Sequence, residues 1–235
     1  MAAFKLSGKE KHGMELLVAT LAHTALGRDA DGLTDIRLII DIIRNAQGLV
    51  TIRSYRGSGD DAYYLTLTTW QDEESWQKAQ ERYNPKQLIL SSIPGLLVTT
   101  PRQWLMHYLW GYNRPAAQPM LAAAHIASVR SEQTEYVRRG WIECLRRQVV
   151  QPTLALASAF LARGIDEDAF LTHPSAAGDK MLEGHAYLEG SIFLNMLNWP
   201  DETNREEFYV DPDYKVISRF LSGVGTVQIL QLEPL

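Results

Sequence analysis

The chain has 235 residues, 46% hydrophobic and 22% charged, with a formal net charge of -5. That is ordinary globular composition, enough for one large domain or two small ones. The acidic balance excludes the basic footprint of a nucleic-acid binder, the absence of any apolar run of about eighteen residues excludes a membrane-spanning helix, and the single cysteine, Cys144, excludes an intrachain disulfide.

The first residues, MAAFKLSGKEKHGMELL, carry lysines but lack the apolar core and small-residue cleavage site of a secretory signal. A cytoplasmic location is the default expectation, with residues 1–12 a poorly ordered tail. LLVATLAHTA (16–25) reads as a half-buried strand. ADGLTDIRLIIDIIRNAQG then sets Leu33, Ile36, Ile39, Ile40 and Ile43 on one helical face, with aspartates at its positive end and Gly48 as terminator. LVTIRSY (49–55) alternates as a strand and turns through RGSGDDA into YYLTLTTW (63–70). Asp72 can cap a short helix, Asn84-Pro85 interrupts it, and PRQWLMHYLWGY (101–112) is a long final strand.

The order then repeats. MLAAAHIASV (120–129) is a strand, and SEQTEYVRRGWIECLRRQVV is a helix stopped by Pro152. Its arginines 138, 139, 146 and 147 share it with Glu132, Glu135 and Glu143, which reads as a solvated face. Cys144 on this helix reads as a buried, inert thiol. TLALASAF (153–160) is the next strand, followed by a long excursion at 164–189, SIFLNMLNW, Asp201 as cap, Asp211-Pro212 as interruption, and GTVQILQL (225–232). Each strand-helix-strand-strand-helix-strand unit makes a four-stranded antiparallel sheet with helices on one face, the ferredoxin-like arrangement. The bare face needs a partner, and the second copy supplies it. The expected fold is therefore α+β: two tandem βαββαβ units, residues 13–114 and 115–235, packed sheet to sheet into a barrel whose interior holds a pocket.

A strand ending in tryptophan and followed by an acidic helix, as in YYLTLTTW then QDEESWQKAQ, resembles the dimeric α/β-barrel superfamily, specifically its antibiotic-biosynthesis-monooxygenase-like branch. The likeness spans nearly the whole chain as two fused units, Met14 to Asn113 and Met120 to Leu235. Quinone-forming members carry asparagine four residues before the strand-end tryptophan. Asn195 and Trp199 fit that spacing, whereas the first copy has Thr66 before Trp70. The resemblance implies an active pocket in the second half, with the first half as scaffold. Haem-degrading members carry a histidine on the following helix; here Gln80 and Tyr209 stand near that depth, so no cofactor is expected.

Cofactor-free oxygenation needs a base, donors for a developing oxyanion and a cavity that excludes water. Residues four apart on a strand share a face, so Asn195 and Trp199 can line one wall. His23 and His125, on the first strands of the two halves, are comparable candidates for the base and fall on the same kind of face in the alignment. Trp70, Trp104, Tyr108 and Trp110 are candidate substrate-binding groups. The last three form a stripe with Met106 that is either barrel lining or the seam between halves, with His107 pointing away. The excursion adds His173, His185 and Tyr187, of which His185 and Tyr187 are substrate-contact candidates under a lid. No metal-ligand spacing, phosphate-binding glycine pattern or nucleophile elbow is present.

These residues predict an enzyme acting on a small hydrophobic or aromatic molecule. The first reading is a cofactor-independent monooxygenase on an anthrone- or phenol-type polyketide intermediate of secondary metabolism. A non-oxidative cyclase, isomerase or dehydratase in the same pocket is the second, and a non-catalytic binding protein the third. No nucleic-acid or membrane partner is expected, and a homodimer of fused barrels is compatible with all three.

Overall fold

The computed structural model describes residues 14–25, 29–58, 62–115, 117–150, 156–165 and 190–235. In chain order the elements are β1 (Leu16–Thr24), α1 (Asp29–Ile43), β2 (Leu49–Gly57), β3 (Tyr63–Trp70), α2 (Glu73–Tyr83), α3 (Pro85–Ser92) and β4 (Leu97–Asn113). They continue with β5 (Leu121–Arg130), α4 (Thr134–Val150), β6 (Ser158–Gly164), β7 (Gly190–Trp199), α5 (Glu202–Val210), α6 (Pro212–Val224) and β8 (Gly225–Pro234).

Local chemistry sets the boundaries. Gly48 follows α1 at φ 84, a left-handed position where a side chain would also strike Ser75. Asp72 accepts from the Ser75 amide at the start of α2, and Asp201 accepts from the Asn204 amide at the start of α5. Asn84 and Asp211 each cap a helix that begins with proline, so each Asx-Pro pair ends one helix and starts the next. Of the strand expected over 153–160, residues 153–155 lie outside the described residues, and the described strand runs over Ser158–Gly164. TLALASAF is apolar almost throughout, so its pattern carries no alternation to mark where pairing begins.

The eight strands close into an antiparallel barrel in the order β1-β3-β2-β8-β5-β7-β6-β4. Strands from residues 16–113 fill four adjacent places, β4-β1-β3-β2, and those from residues 121–234 fill the others, β8-β5-β7-β6. Closure comes through β2 with β8, Tyr55 opposite Pro234, and β4 with β6, Tyr108 opposite Ala162.

Among the described residues the barrel interior is packed with side chains. Leu17, Leu21, Tyr55, Leu65, Met106, Phe160, Met196 and Leu232 meet there in one apolar cluster. Ala19, Ala122, Ala124 and Ala162 leave room for the large side chains from opposite walls. An eight-stranded barrel is just wide enough for side chains to fill it in this way. Helices cover the outer face: Ile36, Ile39 and Ile43 of α1 and Ile89 of α3 pack beside β1–β4, and Val137, Trp141, Leu145, Phe208, Ile217 and Leu221 beside β5–β8.

The aromatic stripe on β4 also divides. Trp104 and Tyr108 pack against the interior cluster, but pairing slips between Tyr108 and Trp110, and Trp110 and Tyr112 join the helix-side core. The extra residue of a β-bulge reverses the alternation beyond it, so Trp104, Tyr108 and Trp110 do not share one face.

Candidate active site

Odd-numbered residues of β7 face the helices, and Asn195 and Trp199 therefore lie on one wall, 1% and 0% exposed. The wall belongs to the layer between the sheet and α4, α5 and α6, outside the barrel. His125 of β5 stands directly opposite Asn195 in the ladder and is 2% exposed. The sequence candidates Asn195, Trp199 and His125 are thus brought together.

Asn195 is held on three sides. Because the Trp141 indole can only donate and the Phe160 carbonyl can only accept, the amide is assigned with its oxygen toward Trp141 Nε1 of α4 at 3.2 Å and His125 Nδ1 at 3.3 Å, and its nitrogen toward the Phe160 carbonyl at 3.1 Å. The other ring nitrogen, His125 Nε2, lies 3.5 Å from the Tyr209 hydroxyl of α5. Gln231 Nε2 of β8 donates to that hydroxyl at 3.3 Å, and Arg205 Nη1 donates to Gln231 Oε1 at 3.3 Å. A continuous polar chain therefore runs from the Phe160 carbonyl through Asn195, His125, Tyr209 and Gln231 to Arg205, which pairs with Glu202.

Aromatic rings enclose the chain. Tyr209 lies 6.2 Å from His125 and 5.9 Å from Trp199, and Tyr214 lies 5.8 Å from His125, centroid to centroid. Burial pushes the His125 pKa down to about 4, so the imidazole is neutral at physiological pH. Burial raises the Tyr209 and Tyr214 hydroxyls above their ordinary range; the Gln231 hydrogen bond opposes this at Tyr209. Both tyrosines are neutral donors at physiological pH. Burial, assisted by Asp213 and Asp211, lifts the Cys144 thiol to about 12, consistent with a packing role.

Two fully buried groups in this layer have no hydrogen-bond partner among the described residues: the Trp199 indole N–H and both amide atoms of Gln148 on α4. An unpaired buried polar group costs about 1–3 kcal/mol, so free donors beside a satisfied polar chain mark a place where a ligand oxygen gains most.

The remaining candidates do not join the Asn195–His125 hydrogen bonds among the described residues. His23 stacks on Tyr63 at 4.4 Å, beside the barrel interior. Thr20, not His23, faces Thr66 as His125 faces Asn195, so the two histidines occupy opposite faces of their sheets. His23 is three positions along the strand from Thr20, and an odd step reverses the face. Trp70 is fully buried against Trp76 and gives its Nε1–H to Thr68 Oγ1 at 2.9 Å, leaving no donor for a ligand. Trp104 lies under the Arg102 guanidinium and Tyr108 bonds Thr69 Oγ1 at 2.8 Å, both packed against the barrel interior, while Trp110 packs against the helix-side core that also holds Trp141 and Trp199. His173, His185 and Tyr187 lie outside the described residues. A surface depression lined by Thr34, Asp35 and Ser92 to Leu96 belongs to the other helix layer and brings together no acid–base pair. Among the described residues no group of three or more His, Cys, Asp or Glu can hold a metal, and no helix is long and apolar enough to cross a membrane.

Sequence reasoning missed Trp141, Gln231 and Arg205, and noted Tyr209 only by its depth on the helix. No local motif links these residues, which come from three separate elements.

The barrel with its outer helices defines the fold as ferredoxin-like α+β, seen among proteins related to antibiotic-biosynthesis monooxygenases. The chain is similar to an anthrone oxidase-like protein, with a TM-score of 0.69 at 12% identity over 94% of this chain and 91% of that one. It is similar to a candidate monooxygenase from Fusobacterium nucleatum, TM-score 0.66 at 7% identity, covering 95% and 93% of the two chains. It is also similar to a Listeria monocytogenes ferredoxin-fold protein related to antibiotic biosynthesis monooxygenases, TM-score 0.50 at 10% identity over 95% and 96%. No protein-family model and no curated protein matches the chain. At these identities the likeness establishes the fold and leaves the activity to the site.

Proposed function

We propose that the chain is two fused βαββαβ units whose second helix-facing layer is the active site of a cofactor-independent monooxygenase. Its substrate would be an electron-rich, anthrone- or phenol-type aromatic molecule. The observation that carries this reading is the buried Asn195–His125–Tyr209 chain lying beside the unpaired Trp199 N–H. The first unit lacks that combination.

The chemistry assigns each group a task. Tyr209 is the partly exposed member of the chain next to His125, and a substrate hydroxyl or acidic C–H meets it there. As the substrate loses its proton, Tyr209 takes it and passes its own to His125 Nε2. Asn195 holds His125 Nδ1 and stabilises the imidazolium that forms. The Trp199 N–H donates to the substrate oxygen on which charge develops. Moving a proton from a phenol of pKa about 10 to a neutral imidazole whose conjugate acid has a pKa of about 4 costs about 8 kcal/mol, so the imidazolium is transient and the oxyanion donors must offset much of that cost. The carbanion then reduces dioxygen and combines with it, forming a carbon–oxygen bond. The peroxide takes back the proton, its O–O bond breaks, and the second hydrogen on that carbon leaves with the distal oxygen as water. A CH2 group and dioxygen thus give C=O and water, with no external reductant.

His125 and Tyr209 move protons only, which favours a second reading: a non-oxidative cyclase, isomerase or dehydratase using the same pair. Oxygen uptake with a hydroxyanthrone separates the two. Equimolar dioxygen consumption with formation of the quinone supports oxygenation. No uptake, with isomerisation at constant mass under anaerobic conditions, replaces it with the second reading.

A further inference from the structure

The hydrogen-bond chain has a fixed direction, and the residues that fix it lie at its two ends. Arg205 has only donors, so the Gln231 oxygen must face it, at 3.3 Å from Nη1. The Gln231 NH2 is thereby turned toward Tyr209 Oη, 3.3 Å away, and donates to it. With a donor already on its oxygen, the Tyr209 hydroxyl is free to give its proton to His125 Nε2, 3.5 Å away. At the far end the Trp141 indole is only a donor and the Phe160 carbonyl only an acceptor, so Asn195 turns its oxygen toward His125 Nδ1. Nδ1 must then carry the ring proton. Both ends impose the same tautomer, with Nε2 left as an acceptor toward Tyr209.

We infer that Gln231, locked in orientation by Arg205, is a positioning residue that aims the Tyr209 proton at His125 and so sets the direction of the proton relay. Gln231 acts through Tyr209 and touches no reacting atom in this scheme. The catalytic consequence rests on the function proposed above, whereas the tautomer does not.

Gln231→Glu is the discriminating variant. It keeps the size of the side chain and gives Arg205 an ionic partner, but its carboxylate only accepts, so Tyr209 donates to it and turns away from His125. A merely structural Gln231 tolerates this exchange. Nitrogen-15 NMR of the full-length protein labelled at histidine, with His125→Gln identifying the resonance, reads the tautomer directly. Wild type is expected to show protonated Nδ1 and a hydrogen-bonded, unprotonated Nε2. In Gln231→Glu the Nε2 signal is expected to shift toward an unbonded acceptor, with Tm held within about 3 °C. Turnover of a hydroxyanthrone is expected to fall by at least about tenfold in kcat with KM within about twofold. Protonated Nε2 in the wild type, or an unmoved Nε2 signal in the folded variant, overturns the inference. A wild type with no turnover refutes the proposed function and leaves the NMR result to decide the relay direction alone. If Gln231→Glu fails to fold, Arg205→Met takes its place, since it frees Gln231 to turn its oxygen toward Tyr209, and an unmoved Nε2 signal there overturns the inference equally.

Discussion

The two helix-covered layers solve the same geometric problem with different chemistry. Beside β1–β4, the cross-strand pair is Thr20 and Thr66, and the strand-end Trp70 N–H is taken by Thr68. Ser54 donates to Thr66, and Gln103 Nε2 donates to both Thr20 and Asn84. Beside β5–β8, the corresponding pair is His125 and Asn195, Leu161 stands opposite Asn195 as Ser54 stands opposite Thr66, and the Trp199 N–H has no acceptor among the described residues. In the first layer short hydroxyls and an amide satisfy the cross-strand pair and the strand-end tryptophan, although the buried His107 Nδ1 on β4 has no partner among the described residues; that suits a scaffold. The other places a titratable ring in the same ladder and leaves a donor free, which suits a site.

Breaking the pair at its most active point should have the largest effect. Tyr209→Phe keeps the ring packing against Phe208 and Tyr214 but removes the relay hydroxyl. A loss of about 10²–10⁴ in kcat is expected in the oxygen-uptake assay, while Thr66→Val in the other layer stays within about twofold. Comparable losses in both variants would erase the asymmetry.

The His125 ring gives the second test. Its pKa falls from 6.5 unfolded to about 4 folded, so between these values the unfolded chain binds the extra proton. Stability is therefore fully present above pH 6.5 and declines as pH falls toward 4, by about 3 kcal/mol from this group. Denaturant titrations of wild type and His125→Gln at several pH values should differ in slope across that window. Equal slopes would show that His125 is not buried as a neutral ring. By the same logic kcat/KM should show no His125 inflection near pH 6.5.

Smaller effects sharpen the contrast between the tryptophans. Thr68→Val leaves the Trp70 N–H unpaired, recreating in the first layer the state found at Trp199, and should cost about 1–3 kcal/mol in chemical denaturation without altering kcat. Gln148→Leu removes an unpaired buried amide and should be neutral or stabilising by about 1 kcal/mol. A loss of several kcal/mol there would mean the amide is satisfied in solution.

How much of this was legible in the sequence depends on whether the signal was local. A period of two placed Asn195 and Trp199 on one face, and proline and Asx residues marked the helix boundaries, because both act within a few residues. The face of His23 was misread because an alignment by spacing can be one residue out of register, and a one-residue slip reverses the face; backbone pairing fixes which residue faces Thr66. Trp110 was misplaced because nothing in WLMHYLWGY announces the bulge after Tyr108. The filled interior was foreshadowed by the alanines of MLAAAHIASV, small residues that let opposite walls meet. Tyr209, Gln231 and Trp141 reach His125 and Asn195 from α5, β8 and α4, and only tertiary packing joins them.

The most direct test applies one substitution to both strand ends, comparing oxygen uptake from a hydroxyanthrone by Trp199→Phe and Trp70→Phe at matched folded concentration. Trp199→Phe is expected to lower kcat by about 10² or more through loss of its free donor, while Trp70→Phe keeps wild-type kcat. Equal losses, or a greater loss at Trp70, would contradict the placement of the active site in the second layer.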